Sequence, residues 1–382
     1  MREDASGPGL GRLAFIDNVR ASMIVLVIGM HAAVTYSPFG RWYVREHPTL
    51  DFPRILFFLT FQAFLQGFFM ALLFFVAGCF APGAYDRKGF TGFLRDRCMR
   101  LGVPALLYVF LIGPLTEYYL AGSLAARNSF GQAMEAYVAS GRFLSGTGPL
   151  WFCVALLIFS AAYALWRASG AGRGQPHDLT ASGVAAAMCA MAAATFLVKT
   201  AIPSGTAVFN MQLADFPSYI AMFAAGIAAG RGDWLRRVPS GFAVRMALCY
   251  GGAAVLMWWP LLVLGGAFSG NGAAYGTGWR WQNAAASLWA NLVCIGFSFG
   301  VLVAFRRFAA SGSRFARFMS ANAFAVYVIH PPILVAVTLA LRSLALGPLG
   351  NFLLAWGLAA GLSFGLAAPL VRRWPPLRAI LR

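Results

Sequence analysis

Residues 15–31 read Phe-Ile-Asp-Asn-Val-Arg-Ala-Ser-Met-Ile-Val-Leu-Val-Ile-Gly-Met-His, and the fold class follows from how that stretch must be housed. Arg20 heads an apolar run, ten uncharged residues follow, and then comes His31. A helix rises about 1.5 Å per residue, so His31 lies roughly 16 Å beyond Arg20. That is about half of a hydrocarbon core roughly 30 Å thick. An ionisable group at that depth is costly and is usually retained for function.

The rest of the chain agrees with a membrane setting. Of its 382 residues 60% are hydrophobic and 11% charged, against roughly 25% charged in soluble domains. This composition predicts an all-α polytopic membrane protein, with 1–382 forming a single membrane-embedded domain. The net charge of +18 does not point to nucleic acid. The basic residues are mostly Arg in short loops, where positive charge sets topology, and no basic stripe with interleaved aromatics marks a nucleic-acid groove. The six cysteines are scattered without CxxC or metal-ligand spacing, which reads as small buried hydrophobes and no metal site. The polar N-terminus leads into the first apolar run, and Gly-Met-His-Ala-Ala at the end of that run is a poor cleavage site, so the run is expected to be retained.

Ten apolar runs are long enough to span: 19–38, 55–81, 101–120, 148–167, 180–200, 217–231, 244–266, 284–305, 320–341 and 351–371. The N-terminal tail, the segments after spans 2, 4, 6 and 8, and the C-terminal tail together carry 22 of the 30 Lys and Arg. That asymmetry predicts about ten transmembrane helices with both termini cytoplasmic. The outer segments 39–53 and 267–283 mix Trp and Tyr with Gly and polar residues. Such aromatics anchor at the interface or stack on sugar rings. Gly and Ala in spans 5 and 6 predict close helix packing.

Three further stretches carry chemistry. In Tyr85–Pro104, five cations (Arg87, Lys88, Arg95, Arg97 and Arg100) fall within fourteen residues. They suit a stop-transfer anchor on anionic lipid and equally a polyphosphate site, because Arg forks match phosphate oxygens. In Met319–Ile333, His330 again sits near the midplane, with Tyr327 and Asn322 on its helix and a double proline after it that should break the ladder and free carbonyls. One such histidine fits packing, whereas two favour a lined cavity. Trp151, in Gly148-Pro-Leu-Trp-Phe152, is an interface residue or a pocket wall. Asp17 stands three residues before Arg20 and can pair with it. His47 and His177 read as solvated, Glu117 and Glu135 as near the outer face, and Lys199 as snorkelling outward.

Taken together these stretches resemble the acyltransferase-3 family of membrane acyltransferases. Arg20-x10-His31 with Asp17-Asn-Val before it is similar to that family's first-span signature. Phe74-Phe-Val-Ala-Gly-Cys-Phe80 resembles its FFxSG-type second span, with Ala77 where Ser is usual. Arg97-x-x-Arg100 with Pro104 resembles its RxxR motif, and Gly148–Phe152 and Ser320–His330 resemble its LWF and S-x-YxxH elements. Tyr85-Asp-Arg-Lys-Gly and the Gly-Pro-Leu-Trp run look most like the glucan-modifying branch, glucans biosynthesis protein C and its relatives.

The resemblance implies a ten-helix core that moves an acyl group from cytoplasmic acyl-CoA, as acetyl-CoA or succinyl-CoA, to a hydroxyl of a cell-envelope or exported carbohydrate. It implies a bacterial inner-membrane location and no permanently bound cofactor. On that reading His31 is the general base, Asp17 orients Arg20, and His330 and Tyr327 donate hydrogen bonds at the reacting centre. Arg20, Arg95, Arg97, Arg100 and Trp151 contact the donor. Self-association and an acyl-histidine intermediate stay open. The competing class is a transporter of a small polar or glycan substrate, because midplane polar groups and a broken helix also suit transport. A purely scaffolding role leaves two midplane histidines without purpose.

Overall fold

A computed structural model describes residues 13–122, 129–172, 178–310 and 312–373. His177, Arg2, Arg12, Arg127, Arg173, Arg378 and Arg382 lie outside the described residues. Nine helical segments among the described residues are long and apolar enough to cross a membrane. They are α1 (Ala14–Thr35), α2 (Phe52–Leu120), α3 (Gly148–Ala168), α4 (Ala181–Ala201), α5 (Leu213–Gly232), α6 (Ser240–Ser269), α7 (Trp281–Phe308), α8 (Arg314–Leu341) and α9 (Gly347–Arg373). The described strands are a single hairpin, β1 (Ala207–Val208) paired antiparallel with β2 (Met211–Gln212).

Nine segments where ten spans were expected is a matter of two helical arms that follow one another directly at Gly89. The expected second and third spans both lie in α2, which has 69 residues. A straight helix of that length would run about 100 Å, over three times the core thickness. It is not straight: Gly89 takes φ 67° and ψ −178°, a conformation open to glycine at no steric cost. The two arms of α2 then lie beside the same end of α3. Phe74 of the first arm packs on Phe152 with ring centroids 4.7 Å apart. In the second arm, Tyr108 lies so close to Gly148 that a Cβ there would fall 2.6 Å from its ring. Past Gly89 the second arm contains π-helical turns around Pro104 and Pro114. Proline has no N–H for the helical ladder, and single π-turns often accompany functional sites.

Helix starts follow local chemistry. Asp51, Thr180 and Ser313 cap α2, α4 and α8 through their side chains, each offering an oxygen to an otherwise unsatisfied N–H. α1 begins at Ala14 rather than 19, which brings Asp17 and Arg20 into the helix at i, i+3.

Packing is closest where residues are smallest. A Cβ on Gly226 would meet the Phe75 carbonyl oxygen at 2.1 Å, one on Gly230 the Cys79 oxygen at 2.1 Å, and one on Gly78 the Phe223 oxygen at 2.3 Å. α5 therefore lies backbone to backbone against α2, as the Gly/Ala content of that span predicts. α1 is enclosed by α2, α7, α8 and α9. Trp356 of α9 donates to the Val25 carbonyl at 2.9 Å and packs so tightly on Gly29 that a Cβ would come within 2.5 Å. Asn18 donates to the Ala309 carbonyl at 2.8 Å. The helix carrying His31 is thus held along its length. Large apolar side chains such as Leu248, Leu256, Leu264 and Leu366 remain exposed, as a surface solvated by lipid requires.

Candidate active site

Two histidines 299 positions apart meet in the core. His31 Nδ1 lies 3.0 Å from His330 Nε2, and the rings are nearly parallel with centroids 5.2 Å apart. His330 is fully buried. Its Nδ1 is 2.8 Å from the carbonyl oxygen of Tyr327. That carbonyl is open because residue 331, whose N–H would bond it in an α-helix, is proline. The double proline was expected to break the span, but α8 is helical from Arg314 to Leu341. The missing N–H groups of Pro331 and Pro332 remove two rungs of the ladder, and the His330 side chain fills the one at Tyr327.

This arrangement sets the tautomers by elimination. A carbonyl only accepts, so His330 Nδ1 carries the proton. In the neutral ring His330 Nε2 must then accept, and His31 Nδ1–H donates to it. His31 Nε2 is left with its lone pair, the state a general base needs.

A third ring completes the centre, and sequence reading did not single it out. Trp42 stacks on His31 with centroids 4.1 Å apart and planes within 14°. It had been grouped with the outer-loop aromatics as an anchor or sugar platform. Instead the loop after α1 folds inward. Ser37 and Val44 are buried, Gln62 donates to Ser37 Oγ at 2.8 Å, and Arg342 pairs with Glu46 at 2.9 Å. Tyr43 shares a 2.6 Å hydrogen bond with Tyr108, and burial holds the Tyr43 phenol well above its ordinary range, so it stays a neutral donor. The only hint in the sequence was that Trp42 follows His31 by eleven residues, short enough for the chain to double back.

The remaining candidates fall into three places. Tyr327 is buried, and its hydroxyl donates to the Pro149 carbonyl. Its backbone carbonyl holds His330 while its hydroxyl ties α8 to the start of α3. Trp151, at that start, stacks on Tyr219 at 5.7 Å and is not among the arginines. The far end of the same helix is where Arg167 pairs with Asp86, at 2.8 Å. Sixteen residues, about 24 Å along the axis, separate the two ends.

The arginines form the third group. Arg20 pairs with Asp17 at 3.8 Å and lies within electrostatic reach of Arg100 and Arg97. Asp96 sits among them, 2.9 Å from Lys88 and 3.6 Å from Arg100. Arg97 lies over the Phe93 ring at 5.1 Å, and its Nε is buried without a partner among the described residues. Arg95 is exposed and outside these contacts. Four cations around two carboxylates leave an excess of positive charge roughly 16 Å along α1 from His31.

Two minor readings change. Lys199 does not snorkel outward: it is only 8% exposed and faces Asp215, which accepts from Gln66 at 3.4 Å. His47 is half-buried with its ring 6.1 Å from that of Tyr36. Among the described residues no cluster of His, Cys, Asp and Glu is arranged to hold a metal.

A family model described as an acyltransferase domain, that of acyltransferase-3, matches residues 13–372. No curated protein and no solved structure gave a match. The family match spans α1 to α9, and both histidines, Trp42 and the arginine group lie within it. The chain belongs to the acyltransferase-3 family and is a membrane acyltransferase.

Proposed function

We propose that the protein transfers an acyl group from cytoplasmic acyl-CoA to a hydroxyl of a cell-envelope or exported carbohydrate, with His31 as general base. The observation that carries this reading is the His31–His330 hydrogen bond, because it leaves one unprotonated nitrogen in an otherwise enclosed core. The hydroxyl proton passes to His31 Nε2 as the oxygen attacks the thioester carbonyl. The carbon–sulfur bond breaks, and the leaving thiolate recovers the proton from His31. His330 accepts from His31 Nδ1 throughout, and the Trp42 face supports the imidazolium as it forms.

The arginine group is the reading's donor side. Arg20, Arg97 and Arg100 meet the phosphates of CoA, with the unpartnered Arg97 Nε supporting a ligand there. The pantetheine arm covers the distance to His31. With both termini cytoplasmic, as the distribution of Arg favours, this side faces the cytoplasm of a bacterial inner membrane. Acetyl and succinyl donors both suit the reading. The acceptor class rests on the sequence resemblance to the glucan-modifying branch and on the aromatic segment 267–283. The test is acyl transfer by purified protein with acetyl-CoA or succinyl-CoA and a glucan acceptor, comparing wild type with His31→Ala. Equal turnover would remove His31 from the role of base.

A further inference from the structure

Away from the histidines, two cavities adjoin where α4 and α6 begin and α5 and α7 end. The inner one has a volume of about 470 Å³ and is walled by apolar side chains including Phe15, Phe75, Val184, Met222 and Leu302. That size lies within the roughly 300–1,000 Å³ of small-molecule sites. The outer one, about 670 Å³, shares Asp178, Leu179, Trp234 and Val238 with it and is lined by Arg237 and Arg245. Both arginines are exposed. Arg306, which also lines the inner cavity, donates to the Val238 carbonyl at 2.9 Å and to Ser240 Oγ. Asp178 is the carboxylate at this mouth, so positive charge is in excess.

One polar side chain in the inner cavity lacks a partner. Ser298 lines it, is 4% exposed, and its hydroxyl has no hydrogen bond among the described residues. A buried hydroxyl left unsatisfied costs free energy. An apolar chamber with one unpaired hydroxyl on its wall and a cationic mouth match an amphiphile with a hydrocarbon chain and an anionic head.

We infer that this double cavity binds one anionic phospholipid of the leaflet on the arginine-rich side, its chain beside Phe15 and Phe75 and its phosphate at Arg237 and Arg245. The acyl donor is not the occupant. Phe15 precedes His31 by sixteen residues, about 24 Å along α1, so a thioester here could not reach the imidazole. A zwitterionic lipid brings the same phosphate but also a cation that offsets its charge at the arginines, so a net anionic lipid is favoured. Because Phe15 lies in the first turn of the helix that carries Asp17, Arg20 and His31, a lipid seated here braces the donor end of that helix. This site stands independently of the acceptor and donor assigned above.

The experiment uses full-length protein in nanodiscs of equal phosphatidylglycerol and phosphatidylcholine, released gently and weighed by native mass spectrometry. Wild type should retain one phosphatidylglycerol with about ten-fold or greater preference, as expected of two arginines near an anionic head. Arg237→Gln with Arg245→Gln should bind both lipids alike. Ala228→Leu, which fills the chamber, should retain neither, and Ser298→Ala should weaken retention a few-fold, serving as the milder variant if the larger residue impairs folding. Equal retention of the two lipids by wild type, an unchanged preference in the double variant, or displacement of the retained lipid by palmitoyl-CoA would each overturn the inference. Acyl transfer does not enter the readout, so failure here and failure of the proposed function are separable.

Discussion

The histidine centre and the arginine group are built differently although one helix joins them. At the centre, contacts are short and each ring is fixed from more than one side. His31 is bonded to His330 at 3.0 Å and stacked by Trp42 at 4.1 Å, and His330 is held by Tyr327. At the arginine group the pairs made by arginine are longer, 3.8 Å for Arg20–Asp17 and 3.6 Å for Arg100–Asp96, with about half of each arginine side chain exposed. The short pair there, Lys88–Asp96 at 2.9 Å, is also partly exposed. Exposed pairs of that kind contribute about 0–1 kcal/mol. Proton transfer needs a fixed geometry, whereas a polyphosphate can be gathered by side chains that adjust. The contrast predicts that changes at the centre act on turnover and changes at the arginines on donor affinity.

The largest effect should come from His31→Ala, with turnover falling by about 10²–10⁴-fold while the KM for acyl-CoA stays nearly constant. Steady-state assays over a donor titration would check this, and a rise in KM alone would contradict the division of labour. Next, Arg97→Ala with Arg100→Ala should raise the donor KM by at least about 10–100-fold, since one charge-assisted hydrogen bond alone is worth about 1.5–3 kcal/mol. Turnover at saturating donor should change little. Equilibrium binding of CoA would read the same loss without chemistry, and unchanged binding would reduce the cluster to a membrane anchor.

His330→Gln sharpens the comparison from within the centre. Glutamine has an acceptor for His31 Nδ1–H but no aromatic ring to stack, so turnover should fall by about ten-fold, less than for His31→Ala. Loss as deep as that of His31→Ala would mean that His330 itself handles the transferred proton. Trp42→Phe should cost only a few-fold in turnover because stacking survives, and Trp42→Ala should cost more. The smallest effect on catalysis should be that of Gly226→Ala. It forces α2 and α5 apart at a cost of about 1–3 kcal/mol, visible as a lower unfolding temperature in detergent with donor KM unchanged.

Why some of this was legible beforehand is clear from particular residues. Hydropathy located each membrane segment found among the described residues, because burying a long apolar run in lipid is a local property of the run. It separated α2 into two spans, and Gly89, whose backbone is not helical, turns the chain between them with no intervening loop. Lys199 was misjudged for a related reason: an end-of-helix lysine defaults to the interface, and only Asp215, from the next helix, draws it inward. Trp42 was misjudged because loop aromatics anchor at interfaces unless the loop folds inward, and that depends on Gln62, Tyr108 and Arg342 far along the chain.

The sequence by itself determined that this is a helical membrane protein, that His31 and His330 are ionisable groups carried inside apolar runs, and that Arg20 stands a fixed distance from His31. Each follows from hydropathy and a constant rise per residue. Only the tertiary structure decided that the two histidines are one pair, which nitrogen is left unprotonated, and that Trp42 covers the ring. Those outcomes depend on which helix packs beside which, and packing partners 299 positions apart leave no local trace. The proline after His330 is where the two levels meet. Its missing N–H is written in the sequence, and the imidazole that takes the vacated carbonyl is aimed, through that bond, at His31.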